Sequence, residues 1–129
     1  MRYMLLVYMD EQVMNLAERE QCYEDSVELT QELHASGHYL AAAPLHPTPA
    51  ATSVRLREGK RLVTDGPFAE TREQLGGYFL IDAKDLDEAI GIAGRIPGAR
   101  WGTIEIRPVI ELAGLPVESG AARLAASDK

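Results

Sequence analysis

The chain has 129 residues, which fits one domain at roughly 100–200 residues each and is long enough to bury a core without disulfides. Its 13 Lys and Arg against 20 Asp and Glu give a net charge of −7, which repels phosphate backbones and argues against direct nucleic-acid binding. The lone Cys22 closes no internal disulfide, and the apolar run in MRYMLLVYMDEQ is too short for a membrane span and lacks a signal-peptide layout. A cytoplasmic chain with no membrane partner is therefore expected.

Met1–Met9 reads as a strand, with Tyr3, Leu5, Val7 and Met9 on one side and Met4, Leu6 and Tyr8 on the other. Both faces are apolar, so both need cover. A helix follows, starting at a capping box of Asn15 and Glu18 and stopping at Gly37. Its expected apolar stripe is Leu16, Cys22, Tyr23, Leu29 and Leu33. Tyr39–Leu45 reads as a strand of small residues, ended by Pro44 and Pro47.

Ser53–Arg57 and Arg61–Thr64 flank Glu58-Gly59-Lys60, a hairpin signal. The longest basic cluster (Arg55, Arg57, Lys60 and Arg61) reads as its solvated rim. Gly77–Ile81 is a second strand apolar on both faces. A second helix starts near Asp85, with a stripe of Leu86, Ala89, Ile90 and Ala93, and ends at Gly94 and Pro97. Thr103–Val109 alternates, with Ile104 and Ile106 opposed to Glu105 and Arg107.

This order predicts an α+β class: a ferredoxin-like βαββαβ domain over residues 1–110 with an inserted β-hairpin, then a C-terminal arm over residues 111–129. Two helices cover one face of such a sheet. A second copy of the sheet is the simplest cover for the other, so a homodimer is expected.

Val63-Thr64-Asp65-Gly66-Pro67-Phe68-Ala69-Glu70-Thr71 lies between strands and carries turn chemistry at Asp-Gly-Pro. One reading is a rigid turn with Phe68 as a plug in the core. The other holds Asp65 and Glu70 at a cavity mouth as acid/base groups or polar ligand contacts. Gly76-Gly77 before Tyr78 allows another backbone or a ligand to come close. On the first helix, about 100° per residue puts Arg19, Cys22, Ser26, Leu29, Thr30 and Leu33 on one side. There Ser26 is either a packing residue bonded to a helix carbonyl or, with Arg19, a contact for an anionic group under the helix.

His34, His38 and His46 show no spacing that demands a metal, and Cys22 reads as buried packing. No phosphate-binding glycine loop, nucleophile elbow or cysteine-pair motif appears, so no cofactor is expected.

Leu62–Asp82 reads LVTDGPFAETREQLGGYFLID and closely resembles the DGPF-type branch of the YCII-related proteins. The resemblance runs from Met1 to about Val109. It implies a ferredoxin-like domain in a dimeric α/β barrel-like assembly, without implying a known reaction. The family's suspected catalytic histidine falls on the first helix, where this chain has Ser26. Fusions of such domains to sigma factors imply a link to transcription initiation.

Two functions follow. One is a small-molecule-binding accessory or regulatory domain, linked to sigma-factor-dependent transcription, with Arg19, Ser26, Phe68 and Tyr78 as ligand contacts. The other is a small dimeric enzyme, with Asp65 and Glu70 doing acid/base chemistry on an organic substrate. A structural interaction domain with no pocket is the third and plainest reading.

Overall fold

Alternation along the first strand sets the architecture. In the computed structural model, which describes residues 1–116, β1 (Arg2–Met9) buries Tyr3, Leu5 and Val7 on one face. Met4, Leu6 and Tyr8 lie half-buried on the other. After β1 come α1 (Leu16–Ala35), β2 (Tyr39–Pro44), β3 (Thr52–Arg57), β4 (Lys60–Asp65), β5 (Gln74–Asp82), α2 (Leu86–Ala93) and β6 (Thr103–Pro108). The main sheet runs β2-β5-β1-β6 and is antiparallel throughout, while β3 and β4 form a separate ribbon. This is the expected α+β ferredoxin-like order with a hairpin inserted between β2 and β5.

Local signals account for the element ends. The Glu18 N–H donates to Asn15 Oδ1 at 2.8 Å, and the Asn15 N–H donates to Glu18 Oε1 at 3.0 Å, closing the capping box of α1. Gly37 follows the helix with φ 82°, a left-handed value that suits glycine. Asp85 caps α2 by accepting from the Glu88 N–H at 2.9 Å. Glu58 and Gly59, both at positive φ, form the two-residue turn between Arg57 and Lys60.

The core lies between the helices and one sheet face. Leu5, Leu33, Ile81 and Ile96 are its most completely buried large side chains. Each contributes about 1.5–3 kcal/mol by leaving water. Two expected stripes are corrected. On α1, Leu16 and Tyr23 are exposed, and Cys22, Leu29 and Leu33 make the buried face. On α2, Leu86 and Ile90 are exposed, and Ala89, Ile92 and Ala93 are buried. The side of α2 that carries Ala89, Ile92 and Ala93 faces the core, which leaves Leu86 and Ile90 toward solvent.

The hairpin stands apart from this core. Val54, Leu56, Leu62 and Val63 are all exposed on it, a poor state for an isolated two-stranded ribbon. For the same reason Phe68 does not plug the core. It is 73% exposed, with the Arg55 guanidinium 4.9 Å above its ring centre. The outer sheet face carries Met4, Leu6, Tyr8, Tyr78 and Leu80, and among the described residues no helix lies over it. Among the described residues no helix is long and apolar enough to cross a membrane. Most of the expected C-terminal arm, residues 117–129, lies outside the described residues.

Candidate functional site

Small residues at one end of the sheet leave a gap beneath α1. The register of β1 against β5 slips between Val7 and Tyr8, so that Val7 faces Gly77, Tyr8 faces Leu75, and Gly76 is the extra residue of a bulge. Gly77 lets β2 come close: a Cβ there would lie 3.0 Å from the Ala43 carbonyl oxygen and 3.3 Å from Pro44 Cα. At Gly98, a Cβ would meet Val7 Cγ1 at 2.8 Å. Beside these close approaches lies a cavity of about 200 Å³ between helix and sheet, with Gly76, Gly77, Gly98 and Ala42 in its lining.

Cys22, Tyr23, Ser26, Val27 and Thr30 form the helix side of this cavity. Val7, Met9 and Phe79 form much of the sheet side, with Ile96 and Gly98 at one margin. Among the described residues no charged side chain lines it. The Ser26 hydroxyl donates to the Cys22 carbonyl at 2.7 Å, and the Thr30 hydroxyl donates to the Val27 carbonyl at 2.6 Å. Burial pushes the Cys22 thiol above its ordinary pKa, and the nearby Asp25 charge pushes the same way; Ser26 opposes both. The thiol is therefore held neutral, which is the wrong state for a nucleophile. The wall is apolar, with a few oxygen and sulfur atoms set into it.

The sequence-derived candidates divide around this cavity. Ser26 and Tyr78 line it. Tyr78 borders it from β5, although alternation against buried Gly77 and Phe79 sends its ring to the outer sheet face. Arg19 lies outside the lining and donates to the Glu11 carbonyl at 3.2 Å, bracing the loop between β1 and α1. The Glu11 carboxylate ties that loop to Thr48, accepting from its N–H at 2.8 Å and its hydroxyl at 2.6 Å.

Asp65, Phe68 and Glu70 are exposed on the hairpin and the loop after it. Asp65 ends β4 opposite Thr52, and next to it Gly66 donates to the Ala51 carbonyl at 2.7 Å. Neither Asp65 nor Arg19 lines the cavity. Sequence reasoning put Thr30 on the same side of α1 as Ser26 and missed Val27, Ala42 and Gly98. The Gly76-Gly77 pair and the placing of Ser26 beneath the helix were the signals that pointed to this place.

The histidines do other work. His38 Nε2 lies 3.0 Å from Glu88 Oε1, and its Nδ1 lies 2.7 Å from the Ser36 hydroxyl. The Lys84 N–H, donating to the Glu88 carboxylate, holds that carboxyl below its ordinary pKa, and His38 adds to the effect. His34 packs edge-on against Tyr39. Among the described residues no three His, Cys, Asp or Glu side chains cluster as a metal site would require.

The chain can be set beside known proteins on this geometry. The family model of the YCII-related domain matches residues 1–113. The uncharacterized protein R00369 of Rhizobium meliloti (strain 1021) is 39% identical over 114 residues, which span 84% of this chain and 92% of that one. Among solved structures, 5-chloro-2-hydroxyhydroquinone dehydrochlorinase (TftG) from Burkholderia phenoliruptrix AC1100, in complex with 2,5-dihydroxybenzoquinone, is similar with a TM-score of 0.53. That likeness covers 85% of this chain and 94% of the other at 11% identity, so it speaks for the fold.

Proposed function

We propose that this chain, which belongs to the YCII-related domain family, binds a small uncharged molecule in the cavity beneath α1 and serves as an accessory or regulatory domain. The observation that carries this reading is a cavity of about 200 Å³ whose lining holds no charged side chain among the described residues. An apolar protein cavity of ~150 Å³ is enough to take up benzene. An ion entering such a space would shed hydration without a charged partner, whereas a neutral ring would gain apolar contacts with the lining. The similar fold of TftG, whose structure holds a small ring compound, is consistent with ligands of this size.

Acid/base chemistry by Asp65 or Glu70 has less support, because both are exposed and neither borders the cavity. The reading includes a homodimer formed through the outer sheet face, where Met4, Leu6, Tyr8, Tyr78 and Leu80 lack a helix cover. The sigma-factor-dependent transcription implied by the sequence resemblance is where a bound ligand would act.

The test is a thermal-shift titration of the full chain with toluene and with benzoate. Toluene is expected to raise Tm and benzoate to leave it unchanged. The Ser26→Phe variant, with its ring in the cavity, is expected to lose the toluene response. A wild-type Tm indifferent to toluene at saturating concentration would remove the reading.

A further inference from the structure

The hydrogen-bond economy of α1 narrows the ligand class. Ser26 and Thr30 both line the cavity, and each hydroxyl has one proton to give. Ser26 gives it to the Cys22 carbonyl at 2.7 Å, and Thr30 gives it to the Val27 carbonyl at 2.6 Å. While these bonds hold, each oxygen offers the cavity its acceptor capacity. The tyrosine hydroxyls near the cavity can turn to donate or accept, so they impose no polarity. The helix wall is therefore an acceptor wall, and Phe79, Tyr23 and Met9 supply ring and sulfur surfaces that suit a flat ring.

We propose that the ligand of the α1 cavity is a neutral single-ring phenol whose hydroxyl donates to Ser26 Oγ, with Thr30 Oγ1 as a further acceptor one turn along the helix. This rests on the reading of the cavity as a small-molecule site and adds the chemistry of its occupant. The uncharged lining disfavours a phenolate or a ring carboxylate, and the acceptor wall disfavours a ring whose only oxygen is a carbonyl or an ether. The cavity volume of about 200 Å³ suits an occupant of one ring.

The experiment compares phenol, anisole and toluene by calorimetric or NMR titration of the full-length wild type and Ser26→Ala. Alanine is the best helix former, so the variant keeps α1. Phenol is expected to bind wild type about fivefold tighter than anisole, the worth of one neutral hydrogen bond. That preference is expected to vanish in Ser26→Ala, with toluene affinity unchanged. Equal binding of phenol and anisole to wild type, or a phenol preference that survives in Ser26→Ala, would overturn the phenol assignment and leave the cavity reading standing, provided toluene binds. Failure of all three rings to bind wild type would overturn both.

Discussion

Ser26 and Cys22 stand one turn apart on α1, and the hydroxyl of the first donates to the carbonyl of the second across 2.7 Å. This bond fixes Ser26 as an acceptor toward the cavity, while Cys22 beside it is kept neutral by burial. The helix presents the cavity with a polar atom that carries no charge.

The first prediction concerns that thiol. With its pKa raised by burial and by Asp25, Cys22 should react slowly with iodoacetamide at neutral pH in the native protein. Denatured protein should react at least about tenfold faster. Toluene should slow the native reaction further, because Cys22 lines the cavity. Mass spectrometry of quenched time points reads the outcome, and equal rates in native and denatured protein would show that the thiol is accessible.

Gly77→Ala tests the close approach of β2 and β5. The added methyl would lie 3.0 Å from the Ala43 carbonyl oxygen, a backbone atom that cannot swing away. A loss of about 1–3 kcal/mol in urea unfolding is expected, in the range of overpacked sites. Gly91→Ala is the control, since nothing lies within 4 Å of its Cβ position. It should be neutral or stabilising within the helix.

Much of the fold was legible in the chain. Asn15 with Glu18 and Asp85 with Glu88 marked both helix starts, because a cap is a local bond that spacing reveals. Glu58-Gly59 marked the hairpin turn for the same reason. The faces of the helices were less legible. Which side of α2 is buried, Ala89, Ile92 and Ala93 and not Leu86 and Ile90, is decided by tertiary packing. The cavity was the least legible, since Val27, Ala42, Gly77 and Gly98 are far apart in sequence and meet only after folding. Asp65-Gly66-Pro67-Phe68 drew attention as turn chemistry, and the turn is there, with Gly66 at φ 106°. The feature that made it visible is local and says nothing of a ligand.

Acid pH should weaken the join between α2 and the start of β2. Glu88 has a carboxyl pKa below its ordinary 4.5, mainly through the Lys84 N–H and then through His38. A carboxylate depressed in the folded state contributes stability above its unfolded pKa and loses it as pH falls through the folded value. Wild type should therefore be more stable than Glu88→Gln at pH 6, and the two should converge as the pH drops below about 4.5. Urea midpoints across that range test it. A gap that persists unchanged to pH 2 would point to packing instead of charge.

The outer sheet face supplies the prediction for assembly. Leu6 sits between Tyr78 of β5 and Glu105 of β6 on that face. Light scattering should find two copies of the wild-type chain in solution. Leu6→Glu, which puts a second carboxylate beside Glu105, should shift the population to one copy with its fold retained by circular dichroism. A wild type that scatters as a single copy would contradict the homodimer.

The central claim is that the ligand site is the cavity beneath α1. Amide chemical-shift mapping of the full-length protein during titration with phenol tests it most directly. Saturable shifts are expected only around Ser26, Thr30, Ala42, Gly76, Gly77 and Gly98, with none at Asp65–Thr71. Saturable shifts at Asp65, Phe68 and Glu70 with the α1 amides unmoved would contradict it.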